Sequence, residues 1–185
     1  MKAVERSELL DWMTYDERRD ALRPTVLATK AARRIVLGEH FTFLFENRDT
    51  IRYQVQEMMR TERIVKEADI AHELTTYNEL LGGPGELGCT LLIGIEDEQD
   101  RSDKLVQWLR LPYHVYAREG DGSLVRPRFD PRQVGDTRLS SVQYLKFAVG
   151  KVAPLALGID LPGLALEIEL DAVHRAALQA DLDDA

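Results

Sequence analysis

The sequence predicts an α+β fold in which a mainly antiparallel sheet of about six or seven strands packs against about four or five helices. The first observation is the alternation of Phe41, Phe43 and Phe45, which places three aromatic rings on one face of a strand. The second is that strand-like segments do not alternate strictly with helices, as they would in a parallel sheet. The third is a length of 185 residues with 44% hydrophobic and 30% charged residues, which is typical of a globular domain. We therefore expect residues 1–185 to form a single domain.

The first predicted element is a helix. Thr14 and Glu17 have the spacing of a capping box, which predicts that this helix begins near Tyr15. Pro24 should kink or split it, because proline lacks an amide donor and clashes with the preceding turn. The residues predicted to face the core are Leu22, Val26 and Leu27.

Two helices are predicted in the centre of the chain. Asn47 is the expected N-cap of the first, and Asp49 lies in its first turn, where a carboxylate suits the positive end of the helix dipole. The second helix ends at Leu81, because two glycines and a proline follow. The buried stripe of the first helix is predicted to contain Ile51, Val55 and Met58.

The remaining chain is predicted to supply most of the sheet. Segments 113–118 and 124–128 should form a hairpin across a glycine-rich turn. The acidic residues Asp181, Asp183 and Asp184 are expected to form a frayed tail. The predicted strands are 35–37, 41–46, 87–96, 113–118, 124–128, 141–149 and 164–169, and further helices are predicted over 102–109 and 171–182.

Charge and composition exclude several classes of protein. The formal net charge is -8, with 13 Lys and Arg against 11 Asp and Glu in residues 1–66 and 11 against 21 in the rest. This balance argues against nonspecific nucleic-acid binding, which depends on neutralising many phosphates. The chain contains no apolar run that could span a membrane, and charges occupy the start where a signal peptide is apolar, so we expect a cytoplasmic protein. The single cysteine excludes an internal disulfide or a multi-cysteine cluster, and no cofactor is predicted.

The polar face of the helix after Asn47 is the predicted binding surface. Guanidinium groups donate in a planar fork that suits oxyanions, so this face could bind a small anionic ligand or a carboxylate of a partner. The alternative is a solvated face on which Asp49 pairs with Arg52 and Glu57 pairs with Arg60. The candidate residues are Arg48, Arg52, Gln56, Glu57, Arg60 and Arg63.

A metal site or an enzyme is the alternative function. Asp69 and His72 have the i, i+3 spacing of metal ligands in helical bundles, but only one partial motif of this kind is present. If this residue does not bind a metal, His72 is a surface histidine with acidic residues as neighbours. The candidate ligands are Glu57, Glu62, Asp69 and His72.

No catalytic motif is recognised. The segment from Gly82 to Gly88 lacks the Lys-Ser/Thr pair of a phosphate loop and is predicted to be a turn. Cys89 would need a nearby base to act as a nucleophile, and a lone cysteine in an apolar strand is more often a buried small residue. The available bases are His40, His72, His114 and His174. A third reading is a homodimer built through exposed apolar residues.

Three segments of the chain resemble a known family. FLFENRDTIRYQVQEMMRTERI, YNELLGGPGELGCTLLIGI and SVQYLKF are similar to the bacterial family of unknown function DUF3501, over about residues 15–147. The family has no established activity or catalytic residues to transfer. The resemblance implies an accessory or binding role in a redox or peroxide-detoxifying system, with a rubrerythrin-like protein or an iron-sulfur oxidoreductase as partner.

Overall fold

Residues 1–184 are described by a computed structural model, in which the strands form two four-stranded antiparallel sheets. The helices are α1 (Trp12–Ala31), α2 (Arg48–Glu62), α3 (Glu67–Asn78), α4 (Glu98–Gln107) and α5 (Ala172–Asp183). The strands are β1 (Arg34–Leu37), β2 (Phe41–Phe45), β3 (Leu87–Ile93), β4 (Val115–Arg118), β5 (Leu124–Val125), β6 (Val142–Phe147), β7 (Ala156–Leu161) and β8 (Leu164–Glu169).

The first sheet has the order β1-β2-β3-β6. Phe45 lies opposite Cys89, and Cys89 lies opposite Leu145, so their side chains share one face of the sheet. This face is buried in the larger hydrophobic core, together with Phe41, Phe43 and the other inward residues of the sheet. The predicted aromatic alternation of β2 is therefore confirmed.

The second sheet has the order β5-β4-β7-β8 and closes the other side of the core. The two sheets approach each other at both edges. Arg128 forms an isolated antiparallel bridge with Lys146 of β6, and a Cβ on Gly38 would lie 3.0 Å from Cδ1 of Leu166 in β8. The prediction of a single sheet with six or seven strands is corrected to two sheets with eight strands.

Strand β7 is not predicted from the sequence, and three of its six residues, Ala156, Gly158 and Asp160, are poor strand formers. Ala156 and Gly158 occupy its outer face, where a sequence pattern expects larger side chains. Gly158 lies opposite Tyr116, and a Cβ at Gly158 would overlap the phenol ring. The ring covers the glycine and so replaces the side chain that the strand lacks.

Helix α1 differs from its prediction in three respects. Its N-cap is Asp11, which accepts hydrogen bonds from the amides of Met13 and Thr14, so the helix begins before the predicted capping box. Pro24 does not split the helix, because the carbonyl of Asp20 that loses its amide donor lies on an exposed turn. Leu22 and Leu27 are exposed at 43% and 44%, and Val26 is partly buried. Tyr15 is the buried residue of α1.

Helix α2 begins as predicted at Asn47, whose side chain accepts from the amide of Thr50. Its buried stripe contains Ile51, Val55 and Met59 at a regular spacing of four residues. The predicted Met58 is only partly buried, so the assignment moves by one position. The stripe packs with α3 and the N-terminal segment in a second hydrophobic cluster.

The C-terminal helix corrects the prediction of a frayed acidic tail. Asp181 is 4% exposed and bonds to Arg33, whereas Asp183 and Asp184 are exposed. The predicted hairpin is confirmed over the shorter strands β4 and β5. No helix within residues 1–184 is both long and apolar enough to cross a bilayer.

Candidate functional site

The predicted arginines of α2 are paired with nearby carboxylates. Nη2 of Arg48 lies 2.7 Å from Glu8 in the N-terminal segment, and Nη1 of Arg60 lies 3.2 Å from Asp16 of α1. Arg52 pairs with Asp49 within α2 at 2.8 Å, as the alternative reading expects. These three arginines hold the N-terminal segment and α1 against α2, or stabilise α2 itself.

Glu57 is bound by α1 instead of Arg60. Arg19 donates to both of its carboxylate oxygens at 2.7 and 2.9 Å, and the hydroxyl of Tyr15 donates at 2.7 Å. The hydrogen bond from Arg19 lowers the pKa of Glu57 despite the opposing effect of burial. Burial and the bond to Glu57 raise the pKa of Tyr15. Glu57 is therefore a carboxylate whose hydrogen bonds with Arg19 and Tyr15 hold α1 against α2.

The last two predicted binding residues also have structural contacts. Gln56 is 4% exposed, and its side chain both donates to and accepts from the backbone of Leu10. Arg63 ends α2 in the left-handed conformation with φ of 51°, and its guanidinium lies 5.7 Å from the ring centroid of Trp12. Five of the six predicted residues therefore contact the N-terminal segment or α1, whereas Arg52 pairs within α2. Arg63 also lines a depression beside the end of α2.

The predicted metal ligands are divided between two places. Glu62, Asp69 and His72 line a surface depression of about 430 Å³, whereas Glu57 belongs to the contact with α1. Across residues 1–184, no three His, Cys, Asp or Glu side chains are arranged to hold a metal ion.

Cys89 is buried in the larger core, and this burial raises the pKa of its thiol well above the ordinary value, with a further contribution from Glu46. A thiol in this state is a weak nucleophile. The glycines before it serve packing, since a Cβ at Gly88 would collide with the carbonyl of Leu80. The turn predicted for this segment is confirmed.

A groove of about 800 Å³ lies on the outer face of the first sheet. One wall is the C-terminal end of α3 with the residues that follow it, and the other is β6 with the segment 128–133, which we call the edge segment. Its lining includes Tyr77, Glu79, Arg128, Phe129, Tyr144 and Lys146.

Two cations face each other in this groove. Arg128 and Lys146 are directly opposed, since their backbones exchange two hydrogen bonds of 2.8 Å. Side chains at opposed positions project to the same face, about 5 Å apart at Cβ, and like charges there are destabilising. Arg128 pairs with Glu86 at 2.6 Å. In the described part of the chain, Lys146 has no carboxylate within ion-pair distance.

Glu86 is influenced by both cations. Burial acts to raise the pKa of its carboxyl, but hydrogen bonds from Arg128 and the Gly83 amide and the charge of Lys146 together lower it. Among the residues that line the groove, three cations (Arg128, Arg132 and Lys146) face two carboxylates (Glu79 and Asp130). Arg132 pairs with Asp130, and Arg128 pairs with Glu86 beside the groove, so Lys146 is the cation of the lining that has no ion pair in the described residues.

The edge segment is fastened to β6 by one side chain. The amide of Gln133 donates to the carbonyl of Tyr144 at 2.9 Å and accepts from its backbone N–H at 2.8 Å. The Gln133 side chain therefore makes the hydrogen bonds to Tyr144 that a neighbouring strand would make. The Arg128 backbone makes the corresponding bonds to Lys146. Together they cover the edge of β6 and keep the groove wall in position.

This groove is not among the sites that the sequence predicts. Tyr144 and Lys146 lie in a strand that was predicted, and their i, i+2 spacing already placed them on one face. The signal that could have identified them is the pairing of an aromatic and a cation on the outward face of that strand. Their proximity to Arg128 and α3 depends on the tertiary structure.

Comparison with known proteins supplies a family match. The profile of the family described as protein of unknown function (DUF3501) matches residues 3–182. The chain is similar to a novel protein of unknown function from Burkholderia pseudomallei K96243, whose crystal structure is known, with 32% sequence identity and a TM-score of 0.90. The similarity covers 98% of this chain and 100% of that chain. No curated protein matches this chain.

Proposed function

The chain belongs to the DUF3501 family of proteins of unknown function, and from this premise we propose that it is a cytoplasmic binding protein whose groove takes a small anionic molecule. The observation that carries the proposal is the opposition of Arg128 and Lys146 across an antiparallel bridge. Two cations at such positions lower stability unless an anion lies between or above them. Glu86 forms an ion pair with Arg128, and its charge also acts on Lys146. The Lys146 ammonium lies beyond ion-pair distance of the carboxylates in residues 1–184 and is available to a ligand.

The dimensions of the groove suit a small molecule. Ligand sites usually have volumes of about 300 to 1,000 Å³ and combine apolar walls with a few convergent polar groups. This groove has a volume of about 800 Å³, with Phe129, Leu80 and two tyrosines beside the cations. We therefore retain the anionic ligand that the sequence predicts, but we place its binding site in the groove and not on α2.

Calorimetric titration with inorganic phosphate and with pyrophosphate, at constant ionic strength, tests the anion site. We expect Lys146→Gln to weaken binding about tenfold, which corresponds to one hydrogen bond to a charged group. Lys151→Gln is the matched control, because it removes the same charge from an exposed position outside the groove. Equal affinities in the two variants, or no binding to the wild type, would overturn the proposal.

The accessory role in a redox or peroxide-detoxifying system is also our proposal, and its support is the family context alone. Immobilised wild-type protein should capture a purified rubrerythrin-like protein or an iron-sulfur oxidoreductase of the same bacterium. Failure to capture either partner at micromolar concentration would contradict this role.

A homodimer has some support in the structure. Leu22 and Leu27 are large apolar residues of α1 that are almost half exposed, and self-association would cover them. Light scattering at several concentrations tests this proposal, and a strict monomer at all of them excludes it.

A further inference from the structure

The groove contains an exposed aromatic ring beside its cations. Tyr144 is 50% exposed, so part of its ring is accessible to a ligand. Tyr77 and Phe129 also line the groove, and both are partly buried. The groove therefore offers planar apolar surface as well as charge, and a bare inorganic anion would use only the charge.

The geometry of β6 sets the distance between these two features. Tyr144 and Lys146 are alternate residues of one strand, so their side chains project to the same face about 7 Å apart. Arg128 lies opposite Lys146 and adds its charge at the same end. A ligand whose anionic group is separated from its aromatic ring fits this spacing better than a benzoate-like acid with a directly attached carboxylate.

The carboxylate of Glu79 gives a third constraint. Glu79 lines the groove and is exposed, and within residues 1–184 no cation lies within ion-pair distance of it. A carboxylate repels a polyanion such as citrate, but it accepts hydrogen bonds from hydroxyl groups, as acidic residues do from ribose in dinucleotide sites. The ligand should therefore carry hydroxyl donors between its ring and its anionic group.

We propose that the groove binds a nucleoside monophosphate, with the base stacked on Tyr144, the phosphate between Lys146 and Arg128, and the ribose hydroxyls directed to Glu79. This inference rests on the proposed function, because the phosphate occupies the anion site defined above. A phosphate monoester carries nearly two negative charges at neutral pH. Lys146 would meet it with its ammonium, and Arg128 with the guanidinium nitrogens other than the Nη2 that bonds to Glu86. Stacking on a tyrosine tolerates any base, so the site selects the class of ligand and not one base.

Titration with adenosine monophosphate, adenosine and inorganic phosphate tests the inference. We expect the nucleotide to bind at least tenfold more tightly than either of its parts. Tyr144→Ala should weaken nucleotide binding about fivefold to 150-fold, which is the usual range for the loss of one base stack, and should change phosphate binding less than twofold. Lys146→Gln should weaken binding of both the nucleotide and phosphate.

Tyr144→Phe is the matched control, since it retains the ring and should retain most of the nucleotide affinity. The Tyr144 side chain is half exposed and its backbone makes the bonds to Gln133, so the alanine variant should melt within a few degrees of the wild type. If phosphate binding depends on Lys146 but the nucleotide binds no more tightly than phosphate, the nucleotide inference is wrong and the anion site stands. If Tyr144→Ala leaves nucleotide affinity unchanged, the stacking arrangement is also wrong. If no anion binds, both proposals are wrong.

Discussion

Arg33 and Asp181 form a buried, two-pronged ion pair between positions 148 residues apart. Nε of Arg33 donates to Oδ2 of Asp181, and Nη2 donates to Oδ1, each at 2.7 Å. Asn47 also donates to Oδ1 of Asp181 at 3.3 Å, while its own side chain caps α2. One carboxylate of α5 thus links this helix to the connection between α1 and β1 and to the start of α2. The arrangement explains why a tail with an acidic composition is packed into the fold.

Removal of this carboxylate should strongly destabilise the fold. Asp181→Asn leaves the guanidinium of Arg33 buried without a counter-charge, and we expect a loss of about 3 to 5 kcal/mol in the free energy of unfolding. Urea denaturation measures the loss, with Asp184→Asn as the control, because Asp184 is exposed beside it in the chain. A loss below about 1 kcal/mol would show that the pair does not hold α5 in place.

The contact between Glu57 and α1 should make stability depend on pH. The pKa of Glu57 is lower in the fold than its ordinary value of 4.5, so its stabilising contribution is fully present above pH 4.5. The contribution is lost as pH falls through the folded-state pKa, because protonation removes the charge that Arg19 binds. We expect Glu57→Gln to lower the free energy of unfolding at pH 7 by about 1 to 3 kcal/mol, and this difference from the wild type should shrink in acid.

Unfolding measured from pH 7 to pH 3 tests this dependence. Glu62→Gln is the matched control on the same helix, since Glu62 is exposed. A difference between Glu57→Gln and the wild type that stays constant with pH would mean that the stabilisation comes from packing and not from charge.

Gly158 should be intolerant of a side chain for one specific reason. Gly158→Ala places a methyl group where the Tyr116 ring lies, and we expect a loss of about 1 to 3 kcal/mol from this overpacking. In a Tyr116→Ser background the same alanine should cost much less. A double-mutant cycle of thermal unfolding measures the coupling, and strictly additive effects would show that the Tyr116 ring does not determine the cost of the alanine.

The hydrogen bonds between the Gln133 side chain and β6 should be detectable by amide hydrogen exchange. The amide of Tyr144 donates to the Gln133 side chain, so Gln133→Leu should raise the exchange rate of that amide. The amide of Lys146 donates to the Arg128 backbone and serves as the internal control. If the Tyr144 amide keeps its protection in the variant, another group covers this edge of β6.

Local signals were sufficient for several elements. Asn47 was recognised as an N-cap because its side chain bonds within four residues, and β8 was found over residues 164–169 because its alternation is regular. Thr14 misled the prediction, since Asp11 offers a competing cap and Thr14 itself donates to that carboxylate at 2.6 Å. A short-range pattern predicts a helix cap reliably only where a single residue of the segment can act as that cap.

The charged residues of α2 have contacts that the sequence does not predict. Arg48, Glu57 and Arg60 bind residues of the N-terminal segment or α1 that lie about forty positions away, and spacing along the chain does not reveal such partners. A cation on a helix face has the same sequence pattern whether it binds a ligand or forms an ion pair with a neighbouring helix.

The amino-acid sequence by itself determined the fold class, most helices and strands, the aromatic face of β2 and the family resemblance, because these depend on periodicity and on motifs of contiguous residues. Only the tertiary structure decided the division into two sheets, the burial of Asp181, the pairing of the α2 arginines and the opposition of Arg128 to Lys146. Each of these joins residues far apart in the chain, and their energies depend on distance and burial, which a linear pattern does not contain.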